Sequence, residues 1–208
     1  MKRRRQGGHW PTFDPGSVRG VPWDVVESLD IQYKYLSANP LKRFASRYHA
    51  RTILRLVADL EPGSRRRMLN AGCGDSFVSA AILDQPDIGE LVGRDIDEGA
   101  LEVSRELYRQ NGLDHPLVRG TIHDLPFEDE SFDLCLCSEV LEHVRDVDRA
   151  LKELHRVSRG HTVLSVPNDR VFRAVNLARG AYVSALGNPP KHVQHFHRRS
   201  FLHRIRPF

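Results

Sequence analysis

The sequence predicts an α/β fold, a doubly wound and mostly parallel sheet of about five strands with helices on both faces. Three observations predict it. Short apolar runs alternate with amphipathic stretches from residue 67 to residue 166, and glycines and acidic residues gather where the runs end. The length, 208 residues with 40% hydrophobic and 28% charged side chains, suits one core plus extensions rather than two full domains. Repeated strand–helix units imply parallel pairing, because crossover connections are almost always right-handed.

Taken in order, residues 1–40 are rich in Gly, Pro, Trp and polar residues and read as a partly ordered arm ending near Asn39-Pro40. The domain then spans 41–208. Its first helix is expected over 41–60, where Phe44, Tyr48, Ile53, Leu56, Val57 and Leu60 recur at helical spacing and Glu61-Pro62-Gly63 ends the run. Strands are expected at 67–71 (RMLNA), 90–94 (ELVGR), 116–119 (PLVR), 132–137 (FDLCLC) and 162–166 (TVLSV). Helices fall between them at roughly 76–85, 97–110 and 145–158. Residues 171–187 repeat apolar positions at helical spacing and are a candidate cover for the edge of the fifth strand.

Composition excludes several classes. No apolar run is long enough for a transmembrane helix, and the basic start MKRRR is followed by Trp10, Pro11 and Pro15 rather than the apolar core of an export leader. Three cysteines, Cys73, Cys135 and Cys137, are too few and too unevenly placed for a disulfide framework, which fits a reducing, cytoplasmic setting. Cys135 and Cys137 lie two apart on a strand and read as buried apolar residues of one face. The net charge of +4 conceals a segregation: residues 1–67 carry 14 basic and 6 acidic side chains, residues 68–158 carry 8 and 20, and residues 159–208 carry 9 and 1. Basic ends packed on an acidic centre are the favoured reading, and a basic rim facing an anionic partner is the alternative.

In a doubly wound sheet the ligand crevice lies beyond the carboxyl ends of the strands, at the point where strand order reverses. After the first strand comes Asn70-Ala71-Gly72-Cys73-Gly74-Asp75-Ser76, a glycine turn that permits positive φ and close backbone approach, with a helix start whose N–H groups suit an anion. The second strand ends at Gly93-Arg94-Asp95-Ile96-Asp97. Asp95 is placed to accept from both ribose hydroxyls of an adenosine, and Asp97 reads as a helix cap. Beyond the third strand, Asp124 in Thr121-Ile122-His123-Asp124-Leu125-Pro126-Phe127 is placed to accept from an adenine amine, with Leu125 as an apolar wall. The fourth strand delivers Ser138-Glu139-Val140-Leu141-Glu142-His143 to the same rim. His143 is of the residue type that exchanges protons near neutrality. No metal site is expected, because His192, His195 and His197 in HVQHFH have no fourth ligand at a recognisable spacing.

These segments, LNAGCGDS, LVGRDID, HDLPFEDESFDL and SEVLEHV, with ELHRVSRGHTVLSVPN after them, resemble class I S-adenosylmethionine-dependent methyltransferases of the small-molecule type over about residues 41–208. The resemblance implies S-adenosyl-L-methionine as cofactor. It implies that Gly72, Cys73 and Gly74, with Asn70 beside them, line its methionine end, that Asp95 and Ile96 hold the ribose side, and that His123, Asp124 and Leu125 flank the adenine. Ser138 and Glu139 would approach the sulfonium or the acceptor, and Glu139 or His143 would be the catalytic base where the acceptor must lose a proton. Asn70 departs from the acidic residue usual in the family, and Ser76 from a common third glycine. The family's sheet normally ends in an antiparallel hairpin, whereas residues 197–208 read as the helix that precedes it. The resemblance therefore implies a missing C-terminal hairpin and an exposed fifth-strand edge, a route to dimerisation.

The leading expectation is methyl transfer to a small-molecule acceptor on O, N or C, with an anionic acceptor compatible with the basic ends. The alternatives are a degenerate methyltransferase-like protein that binds without turnover, and an RNA methyltransferase using Arg3, Arg4 and Arg5 as a phosphate footprint. The latter ranks last because no RNA-reading module is recognisable. The glycine turn also lacks the Gly-x-Gly-x-x-Gly pattern of an NAD dehydrogenase.

Overall fold

A computed structural model describes residues 40–61, 63–85, 88–178, 182–188 and 192–208. The expected arm, with Arg3, Arg4 and Arg5, lies outside the described residues apart from Pro40. The elements in chain order are α1 (Pro40–Ala58), β1 (Arg67–Ala71), α2 (Phe77–Leu83), β2 (Glu90–Asp95), α3 (Glu98–Gln110), β3 (Leu117–Arg119), β4 (Phe132–Ser138), a 3₁₀ turn (Leu141–His143), α4 (Val147–Val157), β5 (Ser158–Ser165), α5 (Asp169–Ala178), a second 3₁₀ turn (Val183–Ala185) and α6 (Arg198–Ile205).

The strands form one sheet in the order β3-β2-β1-β4-β5, and every pairing in it is parallel. Burial on both faces is why its strands read as apolar runs rather than alternating ones. Period-two alternation still sorts the side chains. Met68, Leu91, Leu134 and Leu136 share one cluster with Ile53 and Val57 of α1 and Ile82 of α2. Leu69, Val92, Cys135 and Cys137 share another with Val147, Leu151 and Leu154 of α4. Phe77, Val103 and Leu107 extend the first face through α2 and α3. Both cysteines of β4 are fully buried apolar residues of one face, as expected.

Strand order reverses between β1 and β4, so the crevice lies beyond their carboxyl ends. One expectation needs correction. Among the described residues, 171–178 and 182–187 leave part of the sheet edge open: residues 159–162 of β5 are exposed, as are Val183 and Leu186. The edge is blunted instead by a register irregularity between Phe132 and Leu134 and by Arg159, which pairs with Asp133 at 2.6 Å. Among the described residues no helix is long and apolar enough to cross a membrane.

Candidate active site

β1 leaves the sheet through Gly72 and Gly74, both at positive φ, +77° and +54°. The two glycines serve different ends. A Cβ at Gly72 would stand 2.3 Å from Val140 Cγ2, so the missing side chain lets the β1 exit pass under the loop after β4, whereas a Cβ at Gly74 would meet nothing within 4 Å. Gly74 is therefore backbone facing open space.

The N–H groups of Gly72, Cys73, Gly74 and Phe77 are already engaged. Gly72 and Cys73 both donate to the Arg94 carbonyl at 2.7 and 3.0 Å, Gly74 donates to Asp95 Oδ2 at 2.8 Å, and Phe77 donates to Asp75 Oδ1 at 3.0 Å. The neighbouring end of β2 supplies a carbonyl and a carboxylate, and these satisfy donors that the sequence alone leaves orphaned. Asp95 also accepts from Asp97 N at 2.9 Å through Oδ1, and each carboxylate oxygen keeps a second lone pair for a ligand. Ile96, next to it, is 69% exposed. Asp97 caps α3, accepting from Gly99 N and Ala100 N, as its sequence context indicates.

Two residues expected to face the ligand lie beneath the turn instead. Asn70 is buried and donates to Ser79 Oγ at 2.6 Å, tying β1 to α2. Cys73 packs its sulfur against Gly93, and burial pushes its thiol up to about 12, so it is not a nucleophile.

Arg94 joins β2 to the loop after β3. Its guanidinium occupies the space a Gly120 side chain would take and donates to the carbonyls of Thr121 and Asp124, each at 3.1 Å. Burial lowers its pKa and the Asp124 carboxylate opposes the shift. His123 Nδ1 lies 2.9 Å from Thr121 Oγ1, its carbonyl accepts from Arg149 Nε at 2.9 Å, and Asp124 is exposed. Leu125 is 2% exposed and belongs to the core under α4, so the apolar wall assigned to it is corrected. Two side chains of α4 grip its backbone. Glu153 Oε2 accepts from Leu125 N at 2.9 Å, while Arg156 donates to the Leu125 and Phe127 carbonyls at 2.8 Å each. The Arg156 hydrogen bond holds the Glu153 carboxyl down at about 2.

At the end of β4, Glu139 is exposed at φ +57°, a backbone state uncommon outside glycine. It closes a chain of polar groups. His49 Nε2 of α1 lies 3.0 Å from Ser138 Oγ, Ser138 Oγ lies 2.9 Å from Ser165 Oγ, and Ser165 Oγ donates to Glu139 Oε1 at 3.2 Å. Each hydroxyl has one hydrogen. With Ser165 donating to the carboxylate, Ser138 donates to Ser165, and His49 donates through Nε2–H to Ser138. Nothing in the sequence signals His49, which is 89 residues from Ser138.

The histidine run divides in two. His195 bonds Asp169 at 3.0 Å, and His197 caps α6 in a reciprocal pair with Ser200. His192 instead meets the turn after β4: ligand-type atoms of Glu142, His143 and His192 all lie within 4.8 Å of one another. Burial, then the nearby His143 and His195, lower the His192 pKa, and Asp169 opposes this. The sequence gives His192 no partner at a recognisable spacing; in the structure its neighbours Glu142 and His143 come from the turn after β4, His143 lying 49 residues earlier in the chain.

Gly72 and Val140, Gly74 and Asp95, and Arg94 and the 121–124 loop are thus in direct contact, and four loops converge on the switch point. Fold and contacts define an α/β protein of the Rossmann-like class with exposed carboxylates, Asp124 and Glu139 among them, on the loops beyond the strand ends. Residues 69–165, from β1 to the end of β5, match the family described as Methyltransferase domain.

The chain is 31% identical over 135 residues, 64% of its length and 56% of the relative's, to a demethylmenaquinone methyltransferase of Bacillus cytotoxicus. It is 32% identical over 165 residues, 76% of its length and 63% of the relative's, to a ubiquinone/menaquinone biosynthesis C-methyltransferase of Shewanella oneidensis. The chain thus spans between half and two thirds of these relatives. The crystal structure of the YcgJ protein of Bacillus subtilis shares the fold at TM-score 0.61 and 23% identity, covering 76% of this chain and 66% of that one. A geranyl diphosphate methyltransferase in complex with S-adenosylmethionine shares it at TM-score 0.56 and 17% identity, covering 81% and 70%.

Proposed function

We propose that the protein transfers a methyl group from S-adenosylmethionine to a small-molecule acceptor of the hydroquinone type. The observation that carries this reading is the pairing of Gly74, open backbone facing empty space, with the Asp95 carboxylate that holds it and the exposed Ile96 beside it. That set fits an adenosyl ligand: a carboxylate for two ribose hydroxyls, an apolar surface for the adenine, and room at a glycine for the methionine chain. The excess of 20 acidic over 8 basic side chains in residues 68–158 favours a cationic sulfonium. The acceptor class rests on the two quinone-pathway relatives.

When bound, the cofactor supplies a methyl group already activated by positive sulfur, and transfer is an in-line displacement at carbon. The residues then have to align the partners and exclude water, an effect worth about 7–11 kcal/mol in favourable cases. Asp95 and Ile96 fix the adenosyl end, and the exposed Asp124 with His123 borders the adenine. Ser138 and Glu139 face the acceptor. Glu139 takes the proton of an acidic acceptor hydroxyl, its carboxylate oriented by the Ser165 hydroxyl.

The test is incubation of the purified chain with S-adenosylmethionine and a panel of hydroquinones and catechols, read by mass spectrometry. Methylated acceptor with stoichiometric S-adenosylhomocysteine is the expected result, reduced about 100-fold in Glu139→Gln. Donor binding without product from any acceptor would instead establish a binding protein.

A further inference from the structure

We infer that Glu142, His143 and His192 form a binding site for one first-row divalent cation of the Zn²⁺, Mn²⁺, Fe²⁺ or Co²⁺ kind. Two adjacent members come from the 3₁₀ turn that follows β4, and the third from the segment before α6. The backbone holds the two segments together: Val193 N and Gln194 N both donate to the Glu142 carbonyl, at 2.9 and 3.0 Å. The His143 and His192 rings meet at 5.1 Å and 75°, and Phe172 of α5 stacks on His192 at 5.5 Å. The ring of His192 is therefore placed by its surroundings and not only by its own rotamer.

Ligand atoms sharing a cation at about 2.1 Å stand about 3 Å apart, so atoms lying within 4.8 Å of one another close on an ion by side-chain rotation alone. The donor chemistry selects the cation. Two imidazoles and one carboxylate are the set found in catalytic zinc sites and in two-histidine, one-carboxylate iron sites, whereas Mg²⁺ and Ca²⁺ prefer oxygen throughout. The carboxylate is buried and brings a negative charge, while the His143 side chain is 42% exposed and marks the open side. Three protein ligands leave positions there for an outside oxygen.

The turn begins two residues after Glu139 and directly after Val140, which packs on Gly72, so the cation stands on the acceptor side of the crevice. Its role rests on the methyl-transfer reading. An acceptor hydroxyl bound to the cation gives up its proton to water or Glu139 more readily, and the resulting oxyanion forms the new bond to the methyl carbon as the carbon–sulfur bond breaks, or directs a neighbouring ring carbon to form it, that carbon then losing its own proton to water. The site itself does not depend on that role, and its test uses no donor.

The full chain, stripped with EDTA, is titrated calorimetrically with ZnCl₂ and with MnCl₂, and the visible spectrum of the Co²⁺-loaded chain is recorded. Saturable binding of a single cation and a Co²⁺ spectrum of mixed nitrogen and oxygen ligation are expected. His143→Ala and His192→Ala should each weaken binding about 100-fold or more, since even outer-shell partners are worth 10–100-fold, while His195→Ala leaves it unchanged. S-adenosylmethionine affinity, measured on the same His192→Ala sample, is expected to persist and shows that the variant is folded. Absence of saturable binding by all three cations would overturn the inference. So would equal binding by wild type and His192→Ala, or loss of binding in His195→Ala alone.

Discussion

The methyl-transfer reading divides the strand ends into a donor side and an acceptor side, and the two are built in different ways. The donor side, at the ends of β1 and β2, is a local structure: glycine backbone, one carboxylate and a helix cap, all within residues 70–97 and closed on itself through Gly74 N–H to Asp95. The acceptor side, beyond β4 and β5, is assembled from side chains far apart in the chain: His49, Ser138 and Ser165 in one network, and Glu142, His143 and His192 in another. On that reading, a cofactor of constant shape is met by backbone, and a variable acceptor by side chains that substitution can exchange without disturbing the turn.

This contrast is broken most easily at Gly72. Alanine there would require left-handed backbone and would overlap Val140, so Gly72→Ala is expected to lose about 3 kcal/mol in urea unfolding, from overpacking of about 1–3 kcal/mol plus strain of about 1–2 kcal/mol. Gly74→Ala meets no neighbour and should lose only the strain, about 1–2 kcal/mol. Equal losses at the two glycines would remove the distinction between a packing glycine and a ligand-facing one.

A second test sharpens the boundary between the sides, the loop at Leu125 gripped by Glu153 and Arg156. Glu153 has its folded pKa depressed, so its contribution to stability is fully present above the unfolded carboxyl value near 4.3 and is lost as pH falls through about 2. Glu153→Gln should therefore destabilise by about 1–2 kcal/mol at pH 7, with the difference from wild type constant between about pH 5 and 8 and gone near pH 2. Unfolding midpoints across that range check it, and a difference that grows on acidification would contradict the sign.

The smallest effect belongs to the acceptor-side relay. His49→Ala should lower stability by only about 0.5–1 kcal/mol, one part-buried hydrogen bond, and leave donor affinity unchanged. The pH profile of transfer should nevertheless move, because the direction of the hydroxyl chain onto Glu139 is no longer set. His49→Gln, which still offers an N–H to Ser138, should restore the profile. A profile insensitive to both substitutions would make His49 a packing residue only.

The same contrast explains what was legible in the sequence. β1, β2 and α3 could be read nearly to the residue, because apolar runs bounded by glycine and an aspartate cap are local signals. β5 starts four residues earlier than its apolar run, at Ser158-Arg159-Gly160-His161, because an exposed edge strand need not be apolar. Leu125 was misplaced because an apolar residue in a loop can face either a ligand or the core, and only the position of α4 decides which. The N–H groups of the glycine turn looked available because their acceptors, the Arg94 carbonyl and the Asp95 carboxylate, arrive from the next strand. His49 and the pairing of His192 with Glu142 and His143 depend wholly on tertiary contact, which spacing does not encode.

The most direct measurement is calorimetric titration of the full chain with S-adenosylmethionine, on wild type and Asp95→Ala. Micromolar binding, about −8 kcal/mol, is expected for the wild type, weakened by about 1.5–3 kcal/mol in the variant through loss of charge-assisted hydrogen bonds. Unchanged affinity in Asp95→Ala, with the variant still folded, would mean that no adenosyl ligand lies against the ends of β1 and β2.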